Sequence, residues 1–262
     1  MLRIALPFAL ACVLASAALP ALATPPAGPE AGTGQLPAEK ILSLAAFATI
    51  GIDGKLTELE WPGKTAGEQW LAKRLDARVR TWEFVPGTLD GVPAPTRTGL
   101  SIRVRATPQA DGSLELRLID AHTGPSLLTR AWPRFPMHAL QDGSEVVARA
   151  ELVIAADGTA AVTSVEIDSK GNRRAIEKTV REAFADWRFA PEIVGGRAVA
   201  TRMTVPMNFC RERRGSDYCQ KQHLRRTAAA EAAAGLPALP DGMPIALDSA
   251  TRLKTEIRDQ VL

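Results

Sequence analysis

A pattern that occurs twice constrains this chain more than any single motif. Leu71, Leu75, Val79 and Trp82 fall on one face of a 3.6-residue period, and Ile176, Val180, Phe184 and Trp187 repeat that face with the same internal spacing. The interval from each residue to its counterpart is constant. Behind the helical stripe the match continues. Trp82-Glu83-Phe84-Val85-Pro86 is answered by Trp187-Arg188-Phe189-Ala190-Pro191, Gly91 by Gly196, and Thr96-Arg97 by Thr201-Arg202. Ahead of it, Leu56, Leu59 and Trp61 match Val162, Val165 and Ile167 at an interval one residue longer, the shift a loop insertion makes. Three blocks in one order point to an internal repeat, and a repeated unit folds the same way each time it occurs.

Each unit reads as strand, hairpin turn, strand, helix, strand. In the second, Glu145 to Ala155 is rich in Val, Leu and Ala, Asp157-Gly158 supplies residues that tolerate positive φ, and Thr159 to Ile167 returns. Arg173 to Trp187 carries the amphipathic stripe, and Met203 to Phe209 resumes a strand after Gly195-Gly196. The first unit follows with Leu42 to Ile50, Asp53-Gly54, Lys55 to Trp61, Thr65 to Trp82 and Leu100 to Ala106, then an alternating run at Leu114, Leu116 and Leu118. The fold class expected is α+β: two tandem lobes, each a small antiparallel sheet with one packed helix. Trp82, Phe84 and Pro86, like Trp187, Phe189 and Pro191, read as core. The Trp closes the helix's buried face, the Phe starts a strand and the Pro ends its ladder.

The N-terminus bears on the compartment. One charge at Arg3, an apolar run from Ile4 to Leu19 and Ala21-Leu22-Ala23 predict a signal peptide over 1–23 and a periplasmic chain starting at Thr24. The rival reading is an uncleaved inner-membrane anchor, since Ile4 to Ala23 approaches the roughly 20 residues of a spanning helix. Pro7 and Pro20 interrupt such a helix. With Cys12 inside the signal, Cys210 and Cys219 remain as a locally spaced pair, and in an oxidising compartment they read as a disulfide. They lack the C-x-x-C spacing of a metal site, and His122, His138 and His223 are scattered, so no metal or cofactor is expected.

Composition narrows the function classes. With 46% apolar and 23% charged residues the chain is globular, and a net charge of +3 is too slight to argue for nucleic acid. A basic run at Arg211, Arg213, Arg214, Lys221, Arg225 and Arg226 reads as a solvated face, with contact to cell-wall polymer or anionic lipid as its functional alternative. No nucleophile elbow, phosphate loop or ligand cluster is present. Asp120 with His122, and Asp142 with Glu145, read as surface pairs rather than acid–base machinery, so no enzymatic activity is expected.

Taken in order, the second lobe resembles the TonB C-terminal domain family. Pro133-Arg134-Phe135-Pro136 with Ala139 is similar to its opening motif, and Gly143 with Val146 to Ile154 to its first strand. Asp157-Gly158, Trp187-Arg188-Phe189-Ala190-Pro191, Gly196 and Val205-Pro206-Met207-Asn208-Phe209 complete the resemblance over about Trp132 to Cys210. The first lobe looks like a degenerate copy. The resemblance implies a periplasmic module that captures an extended segment of an outer-membrane transporter by strand addition. Its accepting edge would be Met203 to Phe209, with Met203, Val205, Met207 and Phe209 selecting the partner. The alternative is a module for envelope assembly or cell-wall binding without energy transduction. A family transducer keeps its anchor and a long spacer. Thr24 to Pro37, at ~3.1 Å per extended residue, is too short to cross a periplasm.

The expected organisation is a signal peptide (1–23), a Pro/Gly/Ala linker (24–38), a degenerate lobe (39–121), a TonB C-terminal-like domain (122–222) and a helical tail (223–262). In the tail, Gln222 to Ala234 is Ala-rich. Asp248-Ser249 is placed to cap a last helix carrying Leu253, Ile257 and Val261.

Overall fold

A computed structural model describes residues 39–134, 140, 144–168, 172–212, 214–219, 221, 222, 225 and 243–262. The expected signal peptide and linker lie outside the described residues. So do Phe135, Pro136, His138, Ala139, Asp142, Gly143, His223 and nearly all of the Gln222–Ala234 segment.

In the first unit β1 (Lys40–Ile50) turns into β2 (Leu56–Glu60), and α1 (Ala66–Val79) leads past Trp82 to the short strands β3 (Phe84–Val85), β4 (Thr88–Leu89) and β5 (Val92–Pro93). A long hairpin of β6 (Thr96–Pro108) and β7 (Leu114–Gly124) follows, and β8 (Ser126–Thr129) leads on. The second unit holds β9 (Ser144–Ile154), β10 (Ala160–Asp168), α2 (Arg173–Ala185), β11 (Arg188–Ala190), β12 (Glu192–Val194), β13 (Arg197–Val199) and β14 (Thr201–Arg211). The strands β15 (Ile245–Ala246) and β16 (Arg252–Leu253) lie near the C-terminus. The class is α+β, with antiparallel pairing throughout.

A six-stranded sheet runs β13-β12-β6-β1-β2, with β7 also on β6; a four-stranded sheet runs β10-β9-β14-β15, and β11-β8, β16-β3 and β4-β5 form two-stranded pairs. The trio β2-β1-β6 has the same chain order as β10-β9-β14, and details repeat with it. Gly51 N–H donates to Lys55 O at 2.8 Å and Ala155 N–H to Thr159 O at 2.9 Å. Asp53 and Asp157 accept from the amides two residues on. Gly54 (φ +77) and Gly158 (φ +82) then accept from the amides of Phe84 and Phe189 at 2.8 and 2.9 Å. Both are glycine for two reasons: φ is positive, and a Cβ would strike the carbonyl oxygen of that same Phe.

Each trio packs its inner face on its helix. Leu71, Leu75, Val79, Trp82 and Phe84 enclose one core with Leu44, Ile50, Leu100 and Ile102. Ile176, Val180, Phe184, Trp187 and Phe189 enclose the other with Ala150, Leu152, Met203 and Val205. Thr65 caps α1 in a reciprocal box with Glu68, and Asn172 caps α2. Burial therefore follows the two apolar stripes. Trp187 donates from Nε1 to Ala131 O at 2.7 Å, whereas Trp82 Nε1 has no partner among the described residues.

The tail differs from expectation. Residues 243–262 form no helix. They form two short strands joined by bends and a turn, with β15 on β14, β16 on β3, and Leu262 and Asp259 amides bonded to the carbonyls of Leu116 and Leu118. Leu253 and Ile257 pack on the first core, so their spacing does reflect burial, but Val261 is half exposed. Asp248 caps nothing; it pairs with Arg202 at 2.8 Å. A short isolated helix is marginal in water, and here strand pairing and side-chain anchors satisfy the same backbone instead.

Candidate functional site

The edge that the sequence marks for a partner strand is the outer side of β14. On its inner side β14 pairs with β9 without a break from Thr201↔Ile154 to Arg211↔Ser144. Along an antiparallel strand the main-chain groups of alternate residues turn to opposite neighbours. Leu247 N–H donates to Arg202 O at 2.8 Å, and Arg202 N–H donates to Asp248 Oδ1 at 2.6 Å, so the even-numbered residues face outward. Thr204 is taken up by Ile245. Beyond it the carbonyl of Pro206 and both main-chain groups of Asn208 and Cys210 face outward with no strand beside them among the described residues. Pro206 costs the sheet nothing, because its absent N–H lies on this open side.

This phase relocates the selecting side chains. Met203, Val205, Met207 and Phe209 are 2, 0, 5 and 4% exposed and belong to the second core. They hold the strand in place and cannot read a partner's sequence from outside. The side chains on the opposite face are Arg202, Thr204, Pro206, Asn208 and Cys210, all partly or fully exposed. The Oγ1 of Thr204 and the Oδ1 of Asn208 are nonetheless shielded from solvent and make no hydrogen bond among the described residues.

The ends of the edge are fixed. Cys210 is bonded to Cys219, and Glu212 accepts from Cys219 N–H at 3.0 Å and from Ser216 Oγ at 2.7 Å, which ties the loop back to the strand. Those hydrogen bonds, the one from Ser216 foremost, hold the Glu212 carboxyl below its usual range. Arg211 donates to Leu140 O at 2.9 Å. At the other end, Glu192 is wholly buried and accepts from Thr98 Oγ1 (2.7 Å), Ser249 Oγ (2.8 Å), Ala250 N–H (2.9 Å) and Thr201 Oγ1 (3.2 Å). One carboxylate thus joins β6, β14 and the tail, and the bonds it accepts offset its desolvation. Sequence reasoning missed it, because Pro191-Glu192 has the composition of a surface turn.

Asp120 and His122 do come together, His122 Nε2 lying 3.5 Å from Asp120 Oδ1. Their setting is structural. Arg103, 2% exposed, grips the carboxylate through Nε at 2.8 Å and again through its terminal nitrogen. Burial alone would raise the Asp120 carboxyl, but hydrogen bonds and charge from Arg103 and His122 prevail and hold it at about 2. Among the described residues no group of three or more His, Cys, Asp or Glu side chains is placed to hold a metal ion. No helix among them is long and apolar enough to cross a membrane.

Comparison with known proteins bears on the same stretch. Residues 131–210 match the family described as Gram-negative bacterial TonB protein C-terminal. Protein TonB from two strains of Xanthomonas campestris pv. campestris, B100 and ATCC 33913, is 29% identical to this chain over 79 residues. The match covers 29% of this chain and 34% of each relative, about a third of their length.

Proposed function

From residues 131–210, a domain of the TonB C-terminal family, we infer that this chain is a protein-binding module of the cell envelope that takes up an extended segment of an outer-membrane transporter on the outer edge of β14. The observation that carries this reading is the run of outward main-chain groups at Pro206, Asn208 and Cys210 on a strand whose inner side is fully paired. Main-chain pairing supplies the affinity of strand addition, and the side chains beside the edge supply its selectivity. The matched turns, cores and strand orders support reading the first lobe as a second copy of the unit. The N-terminal segment supports export by a cleaved signal peptide. The role is binding rather than catalysis, and no metal or cofactor takes part.

The test is a titration of the ¹⁵N-labelled exported chain with peptides from transporter N-termini, followed by backbone amide shifts. Shifts should cluster at Asn208 and Cys210. Asn208→Pro removes an outward N–H without touching the bonds to β9, so it should weaken binding about five- to tenfold, the worth of one hydrogen bond, while the fold persists. Amide shifts confined to other strands, or none with any peptide, would sink the proposal.

A further inference from the structure

Two short strands hold corresponding places in the two units. β3 follows Trp82 as β11 follows Trp187, and the bridges Lys55↔Glu83 and Thr159↔Arg188 set each against the residue after a turn glycine. Beyond that bridge β11 carries β8, antiparallel, with Leu127 opposite Phe189, Ser126 opposite Ala190 and, after a bulge, Thr129 opposite Arg188. β3 carries β16, also antiparallel, with Leu253 opposite Phe84 and Arg252 opposite Val85. The irregularity recurs at the same place. Glu83 O accepts from both Lys254 N–H (2.8 Å) and Thr255 N–H (3.2 Å), and Glu83 N–H donates to Thr255 Oγ1 at 2.7 Å. The residues match as well, Ser126-Leu127-Leu128-Thr129 against Arg252-Leu253-Lys254-Thr255. Two places further on, Ala131 packs on the second core and Ile257 on the first. In the second unit this segment precedes β9. In the first, its place is taken by residues that follow β14.

We propose that the side of β3 away from the turn is a binding site for an extended antiparallel segment of the form Leu-x-Thr-x-apolar, and that residues 252–257 are its resident ligand. This rests on reading the first unit as a copy of the second. Each fixed place in the pattern has a physical cause. Leu253 packs on the first core, which also holds Phe84. The Thr255 hydroxyl accepts the Glu83 amide, a main-chain donor that the bulge leaves outside the regular ladder. Ile257, 5% exposed, fills the core beyond. The places between face outward and are free to vary. Lys254 pairs with Glu83 at 3.1 Å with both side chains more than half exposed, a contact of little worth, and its counterpart Leu128 is 60% exposed. Thr251 extends the hold, its Oγ1 donating to Val85 O at 2.6 Å. The match stops at the tryptophans: Trp187 Nε1 donates to Ala131 O, but Trp82 Nε1 has no partner among the described residues. The first unit is thus closed by a strand supplied from beyond the second.

The test releases the resident strand and supplies it again from outside. In the full ¹⁵N-labelled chain, Leu253→Asp should strip the Glu83 amide of its protection from hydrogen exchange. A synthetic peptide of residues 249–262 should restore that protection, and so should one of residues 125–132, which carries the same pattern. The 249–262 peptide with Leu253→Asp should bind at least tenfold more weakly. Restoration by the 249–262 peptide alone would overturn the shared pattern. Restoration by neither, or full protection of Glu83 in the variant before any peptide is added, would overturn the site, while the matched turns and helix faces that support the copy reading would stand. If Leu253→Asp unfolds the chain, Thr255→Val decides, since it keeps the side chain's size and removes only the acceptor. Exchange at Glu83 should then quicken about five- to tenfold, the worth of one hydrogen bond, and unchanged exchange would overturn the register. None of these outcomes involves the edge of β14, so strand addition there stands or falls on its own titration.

Discussion

Single charged residues settle where this fold is sensitive to acid. The carboxyl of Asp120 sits at about 2 in the folded chain, against about 3.9 when unfolded. A depressed folded value contributes stability that is fully present above the unfolded pKa and is lost as pH falls through the folded one. The contribution is about 2–3 kcal/mol near neutrality and should fade between about pH 4 and pH 2. Asp120→Asn therefore costs stability at pH 6, and the difference from the parent should shrink over that acid window when measured by urea unfolding at each pH. A difference that stays constant to pH 2 would place the acid sensitivity elsewhere. The sequence showed the Asp120–His122 pair but not its buried partner. Arg103 lies in an alternating strand where arginine normally faces water, and only the bulged register of β6 on β7 sets the two opposite each other.

At the scale of elements, the tail strand is held by few contacts. Among the described residues β15 pairs with Met203 and Thr204, and Asp248 adds its two bonds to Arg202. Its other anchors, Ser249 and Ala250 on Glu192 and Ile257 in the first core, lie farther along the chain. Asp248→Ala should free the β15 end while those anchors persist. Hydrogen exchange at the amides of Arg202 and Leu247 should then quicken about tenfold, as loss of an exposed charged hydrogen bond implies, with α1 unchanged. Unchanged exchange would mean that β15 is fixed by the downstream anchors alone. The sequence proposed a helix here because Leu253, Ile257 and Val261 recur at four-residue spacing. Two of the three are indeed inward, but the backbone found its partners on other strands.

At the scale of the molecule, strands from before and after the second helix share one sheet. β12 and β13, which follow the second lobe's helix, pair onto β6 of the first, and Glu192 binds residues of both lobes and of the tail. The described residues accordingly form one compact unit. Trp187→Ala, with a cost of about 3–5 kcal/mol for a large core aromatic, should therefore destabilise both lobes together. Amide signals of Leu44–Ile50 and Leu152–Ile154 should disappear over the same urea range. Two separated transitions would show that the shared sheet does not couple them.

The sequence by itself determined the strand–turn–strand–helix–strand order of each stretch, the apolar faces of both helices and the turn glycines. Each of these follows from local period, side-chain volume or allowed φ, which neighbours in the chain dictate. The Cys210–Cys219 bridge was legible for the same reason, two thiols being close along the chain. Tertiary structure alone decided what lies beside each outer edge: β7 on β6 and the tail on the start of β14. It also decided that Met203, Val205, Met207 and Phe209 face the core while their neighbours' amides face out. Strand pairing joins residues far apart in sequence, and which side of a strand is covered depends on where the rest of the chain runs, which no local pattern encodes.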